Sequence, residues 1–295
     1  MFEFISEYGL FLLKVITILA AVITVISFAA ASKKGVKQEG LEVKNLNKKH
    51  KELSDGLQKA ILAKDEWKAK LKSDKAKLKI SSKRKKSRPR AYVIDFIGDL
   101  KASAVPSLRE EVTAILDVAK KSDQVIVRLD NSGGVVHEHG LAASQLVRIR
   151  NKNINLVVIV DKVAASGGYL MAAVANKIYA APFAILGSIG VIAQLPNFNR
   201  LLDSHGVDFE QVTAGQYKRN VTMFGKNTDE DRAKLKDQLE EVHELFKSSV
   251  SEYRPAMNLS KVATGEHWYG RKALDLGLAD EIKTSDELLI EMSKK

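Results

Sequence analysis

Five consecutive residues near the centre of the chain, Leu156-Val157-Val158-Ile159-Val160, carry no polar side chain, and four of them are β-branched. A run with no wet face suits a strand covered on both sides. Strands of that kind belong to parallel sheets with helices packed above and below, and the surrounding sequence agrees. Tyr92–Phe96 and Val125–Leu129 read as further strands. Helical stretches fall between and after them, over 106–120, 140–150, 167–174 and, highly charged, from Asp229 to about Tyr253. The expected architecture is a layered α/β fold over residues 91–295, with no internal repeat.

Two other stretches are apolar enough to suggest a membrane. Tyr8 to Ala31 is apolar except for Lys14 and a few Ser and Thr, about the length that crosses a hydrocarbon core of roughly 30 Å. Glu3 and Glu7 precede it, whereas a cleavable signal begins with positive charge, so residues 1–32 are expected to be a retained anchor. Residues 163–193 carry only Lys177 as a charge. Ser166-Gly167-Gly168, Pro182 and Gly187-Ser188-Ile189-Gly190 cut that stretch into pieces of core length, so it is expected to be buried rather than membrane-spanning.

The formal net charge of +11 is unevenly spread. Residues 33–90 hold 21 Lys+Arg against 7 Asp+Glu, and residues 91–295 hold 25 against 27. The basic excess thus lies outside the expected folded domain, which argues against a nucleic-acid groove on it. Within 33–90, Leu46, Leu53, Ala60 and Trp67 recur every seven residues, as in a basic helical arm that pairs with itself or lies on anionic lipid. The run from Lys83 to Arg90 is expected to be a solvated linker, with attraction to lipid head groups as the second reading. The chain has no cysteine, which excludes disulfides, thiolate metal sites and cysteine nucleophiles.

Two glycine turns follow expected strands. Asp130-Asn131-Ser132-Gly133-Gly134 has paired glycines that let main-chain N–H groups approach a ligand. Ala164-Ala165-Ser166-Gly167-Gly168 puts a serine at a strand-to-helix junction, either as a helix cap or as an exposed nucleophile with the Gly167 N–H beside it. The pattern G-x-S-x-G is absent, because Ala164 holds its first position. A base for that serine is either His267 or a lysine whose burial lowers its basicity, with Lys218 after a glycine turn the plausible one. His50 and His243 lie in charged helices and are expected to be exposed. His137 and His139 have no third ligand at metal spacing.

Several of these motifs together resemble the signal-peptide-peptidase A family of bacterial serine proteases (peptidase family S49), in particular its shorter branch. The resemblance covers nearly the whole chain. It is densest over Asp161–Tyr169, Leu186–Val191, Thr213–Arg219, Ala263–Arg271 and Gly277–Ile282. It implies Ser166 as nucleophile, Lys218 as general base and Ser188 as the hydroxyl that helps hold the lysine neutral. It also implies Gly133, Gly134 and Gly167 as oxyanion donors, with no metal and no cofactor. The family usually reads Asn-Ser-Pro-Gly-Gly in the oxyanion loop, and here Ser132 stands where the proline is expected.

The fold implied is that of the caseinolytic-protease and crotonase superfamily (ClpP/crotonase-like). Related enzymes form rings in which serine and lysine come from neighbouring subunits, so the implied partners are a second copy, membrane lipid and hydrophobic peptide substrates. Rival readings are a crotonase-type acyl-CoA enzyme, which needs neither an anchor nor Lys218, and a non-catalytic membrane scaffold. The implied location is the bacterial cytoplasmic membrane. Lys33, Lys34 and Lys37 after the anchor favour a domain on the cytoplasmic face. The family's best-known members resemble exported enzymes, and the sequence leaves both faces open.

Overall fold

The computed structural model describes residues 9, 11–20, 22–24, 41–83 and 88–294. The chain divides into two compact units, 1–60 and 61–295. Of the expected anchor, Gly9, 11–20 and 22–24 are helical, and the remainder lies outside the described residues. Among the described residues no helix is long and apolar enough to cross a membrane. Residues 84–87 of the expected linker likewise lie outside the described residues.

The basic region forms two helices, α1 (Leu46–Ile61) and α2 (Lys64–Lys83). Asn45 opens the first, its Oδ1 accepting the Lys48 N–H at 2.9 Å. Glu66 accepts the Ala63 N–H at 3.1 Å and opens the second. The seven-residue leucine pattern is therefore interrupted at 62–63, and Leu53 and Leu57 stay exposed in the single chain.

The three expected strands form, and two further strands join their sheet. β1 (Ala91–Ile97), β2 (Gln124–Asp130) and β3 (Asn155–Val160) pair in parallel, followed across the sheet by β5 (Lys177–Ala180) and β8 (Glu281–Ile282). Between them lie α3 (Val105–Val118), α4 (Val136–Asn151) and α5 (Gly167–Ala173). A second sheet runs β4 (Val163–Ala165), β6 (Ile185–Gly187) and β7 (His267–Tyr269), with β6 and β7 antiparallel. A bridge from Asn131 to Ala164 joins the two sheets. The apolar stretch 163–193 thus becomes three short strands and a seven-residue helix inside the core.

Burial explains the layering. One face of the large sheet packs Val125, Val127 and Val158 against Leu108 and Val112 of α3 and Leu146 and Ile149 of α4. The other face presents Ile126, Val157, Ile159 and Tyr179 to Leu288 and Met292 of a final helix (Ser285–Lys294). Asp161, just beyond β3, fixes that helix by accepting from the Ser285 N–H at 2.8 Å and its hydroxyl at 2.5 Å. The helix Asp229–Tyr253 starts with a reciprocal Thr228–Asp231 cap and docks through Phe246, Val250 and Tyr253. Arg254 closes it with two hydrogen bonds to the Asp280 carboxylate, at 2.9 and 2.8 Å.

Candidate active site

Ser166 stands between the end of β4 and the start of α5, with φ 52° and ψ −123°. A serine in that conformation carries about 1–3 kcal/mol of backbone strain, sustained only where the surroundings fix it. They do so here. Its N–H donates to the Gly187 carbonyl at 2.8 Å, and its own carbonyl accepts the Leu170 N–H at 3.0 Å. Although it occupies the cap position of α5, its side chain makes no capping bond. Among the described residues Oγ has no hydrogen-bond partner, so the helix-cap reading gives way to a free, half-buried hydroxyl.

The glycine loop expected to face the serine does so. A methyl group on Gly133 would lie 2.7 Å from Ser166 Cβ and 2.8 Å from the Gly167 nitrogen. One on Gly134 would lie 2.2 Å from the Leu100 carbonyl oxygen. Only glycine permits this approach, and Gly133 also has φ +88°. The loop is tied down at both ends: the Asn131 N–H donates to Val163 O at 2.9 Å, and the Val135 N–H to Leu100 O at 2.9 Å. The Ala165 N–H returns to Asn131 O at 3.0 Å.

The N–H groups of this loop are not equivalent. Gly133 donates its N–H to the Asn131 side-chain Oδ1 at 2.9 Å, an Asx turn. Among the described residues the Gly134 and Gly167 N–H groups have no acceptor. Gly167 directly follows Ser166, and Gly134 directly follows the glycine packed against it, so both N–H groups are candidates to meet a charge that develops on an attacked carbonyl.

Ser188 follows β6, and its backbone is also in the left-handed region, with φ 52°. Its N–H donates to the Glu266 carbonyl at 2.6 Å. Since Ser166 bonds Gly187, the two serines sit on adjacent backbone segments. Among the described residues no hydrogen bond joins Lys218 to either serine within the chain. Lys218 is exposed, in an irregular stretch, with its N–H donating to Gly215 O at 3.1 Å. Among the described residues its ammonium has no hydrogen-bond or ion-pair partner. The segment carrying it also exposes Ile192, Val207, Val212 and Tyr217.

The histidines fall differently from expectation. His267 lies on β7, exposed, its ring edge-on to Tyr269 and without a hydrogen-bond partner among the described residues; no triad is built on it. His243 is half-buried rather than exposed, its Nε2 lying 3.2 Å from Ile189 O. His50 is half-buried as well. His139 is fully buried at the site, which sequence reasoning missed. Among the described residues no group of His, Asp and Glu could hold a metal ion. Tyr169, on α5 beneath the site, is fully buried; burial pushes its phenol far above the ordinary range, so it acts as a neutral donor to Leu278 O at 3.2 Å.

A strained serine at the mouth of a helix, with a glycine loop packed against it on an α/β scaffold, is an arrangement suited to acyl transfer. Comparison with known proteins specifies the class. The family models described as "Peptidase family S49 N-terminal" and "Peptidase family S49" match residues 3–146 and 148–295. The chain is 45% identical over 307 residues to "Probable protease SohB" of Haemophilus influenzae, covering 99% of this chain and 87% of that one. It is 46% identical over 302 residues to the protein of the same description from Buchnera aphidicola subsp. Schlechtendalia chinensis, covering 98% and 99%. A solved structure of a mutant of the 1510-N membrane-bound stomatin-specific protease superposes with a TM-score of 0.47 at 15% identity, over 70% of this chain and 85% of that one. The chain belongs to peptidase family S49, and it is a protease.

Proposed function

We propose that this protease is a membrane-anchored serine endopeptidase using a Ser166–Lys218 dyad, with Lys218 delivered by a neighbouring copy of the chain, on a ClpP/crotonase-like fold. The observation that carries the reading is Ser166 itself: strained, uncapped, with Gly133 packed against it and the unengaged N–H groups of Gly134 and Gly167 one residue away along the chain from Gly133 and from Ser166. The exposed Lys218, without a partner among the described residues and on a segment that also exposes Val212 and Tyr217, supports a base supplied in trans. Anchoring to the bacterial cytoplasmic membrane rests on the apolar stretch 8–31.

In this mechanism neutral Lys218 takes the Ser166 Oγ proton as Oγ bonds to the substrate carbonyl carbon. The resulting oxyanion is met by the Gly134 and Gly167 N–H groups, each worth roughly 3–4 kcal/mol in comparable sites. Collapse breaks the C–N bond, and the Lys218 ammonium returns its proton to the leaving amine. Water, deprotonated by the same lysine, then bonds to the acyl carbon; the C–Oγ bond breaks, the Lys218 ammonium returns its proton to Ser166 Oγ, and the product leaves as a carboxylic acid. Ser188 hydrogen-bonds the lysine. Gly133, assigned by resemblance as a third donor, has its N–H committed to Asn131, so the reading uses the other two. Hydrophobic peptides, such as signal-peptide remnants or segments of misfolded membrane and exported proteins, are the substrates.

The test is hydrolysis of a fluorogenic hydrophobic peptide by detergent-solubilised protein. Ser166→Ala and Lys218→Ala are each expected to be inactive with assembly intact. Mixed from dissociated subunits, the two should recover about one quarter of wild-type activity, since a random ring pairs an intact serine with an intact lysine at that frequency. Activity in Ser166→Ala alone would overturn the site. Two inactive variants whose mixture stays inactive would overturn the sharing of the dyad.

A further inference from the structure

We infer that buried His139 is a positioning residue for the oxyanion loop, acting through Asn131 to hold the Gly133–Gly134 turn against Ser166. This rests on the reading that Gly134 and Gly167 meet the oxyanion. His139 is fully buried, and its Nε2 lies 3.2 Å from Asn131 Oδ1. That oxygen also accepts the Gly133 N–H at 2.9 Å, and the amide nitrogen of Asn131 faces the Met171 sulfur at 3.4 Å. Because Oδ1 is an acceptor in both contacts, the ring nitrogen that meets it carries the hydrogen. The other ring nitrogen lies 3.0 Å from the Val135 carbonyl oxygen, at the loop's far end. Since that carbonyl is also an acceptor, an imidazole with a single N–H bonds Asn131 and only lies against Val135; the hydrogen bond that fixes the loop is the one to Asn131.

The same ring supports the second donor. A methyl group on Gly167 would lie 2.5 Å from His139 Cγ and 2.8 Å from Cδ2, so the Gly167 backbone rests directly on the imidazole. Asn131 is confined in turn: a methyl group on Gly98 would lie 2.3 Å from its Cγ, and one on Gly168 would lie 2.1 Å from its carbonyl oxygen. The loop has Ser132 where proline would restrict the backbone. The Asx turn, locked by His139, supplies that restriction through hydrogen bonds. Asn131 is extended, bridged to Ala164, and Ser132 does not have positive φ; its N–H has no acceptor among the described residues. A proline at 132 would therefore cost no main-chain hydrogen bond.

The experiment compares His139→Phe, which keeps a ring beneath Gly167 but removes the N–H, with His139→Phe/Ser132→Pro in detergent-solubilised full-length protein. His139→Phe is expected to lower kcat at least about 10-fold with KM changed less than about 2-fold, because the loss falls on transition-state donors. Binding of a peptide aldehyde, whose adduct carries the oxyanion, should weaken in parallel. Ser132→Pro should restore most of kcat, which no repair of general packing would do. Unchanged kcat in folded His139→Phe, or a loss that Ser132→Pro leaves untouched, overturns the inference. Should His139→Phe not fold, Asn131→Ala with and without Ser132→Pro applies the same criterion. Ser166→Ala runs alongside: if it stays active, the underlying reading of the site has failed instead.

Discussion

Replacing Ser166 with glycine should abolish proteolysis and make the protein more stable. The residue holds φ 52° and ψ −123°, a backbone region natural to glycine and strained by about 1–3 kcal/mol in any residue with a Cβ. Glycine relieves that strain but adds about 0.5–1 kcal/mol of unfolded-state entropy, leaving a net gain of about 1 kcal/mol. For a domain of this size that corresponds to a Tm rise of about 2–4 °C. Alanine is the control, because it removes the same hydroxyl, which has no partner among the described residues, while retaining the Cβ. Thermal unfolding of the three proteins should be followed in one detergent at one protein concentration, since assembly also moves Tm. Ser166→Gly melting above Ser166→Ala, with both inactive, is the expected result. A glycine variant no more stable than the alanine variant would refute the claim that the site stores strain at its nucleophile.

Gly133→Ala should be inactive and destabilised by about 2 kcal/mol or more, because the new methyl meets Ser166 Cβ at 2.7 Å in a left-handed backbone; peptide hydrolysis and denaturant unfolding report both. Lys218→Arg should be inactive yet melt like wild type, as arginine stays charged and the side chain has no partner among the described residues. Asp280 is pushed up by burial, but the hydrogen bonds from Arg254 and the Ile178 N–H outweigh this and hold its carboxyl below the usual range. Its folded pKa lies below its unfolded one, so its contribution is present above about pH 4 and is lost as pH falls through the folded value. Asp280→Asn should cost about 1–3 kcal/mol at neutral pH and flatten the acid side of the stability profile, measured by urea titration at several pH values.

Three of the five strands of the large sheet were legible because their signal is local, whereas β5 and β8, four and two residues long, were not. The apolar run at 156–160 and the β-branched one at 125–127, ahead of Arg128, favour strands over helices, and the polar stretches between them leave room for the helices. The second sheet was not legible, because β4, β6 and β7 have three residues each, too few to show a period. Ser166 was half legible: its junction could be read, but a cap and a nucleophile look alike until the side chain is seen to cap nothing. Lys218 had only a preceding glycine turn to single it out before the family resemblance, and nothing within the folded chain sets it apart from other exposed lysines. Asn131 had a turn signature, two positions before a glycine, that foretells the Asx turn. His139 had none, since its role depends on Gly167 lying across its ring, a contact between segments distant in sequence.

The donors beside Ser166 belong to the main chain. On the proposed reading this has a pharmacological consequence. An electrophilic inhibitor that forms a tetrahedral adduct on Ser166 would be gripped by the Gly134 and Gly167 amides, which no substitution except proline deletes. Larger residues at Gly134 or Gly167 collide with Leu100 or His139, so the variants that disturb the grip also disable the enzyme. Drug resistance would therefore have to arise on the surfaces that bind the peptide side chains, and inhibitors that rely least on those surfaces should be the hardest to escape.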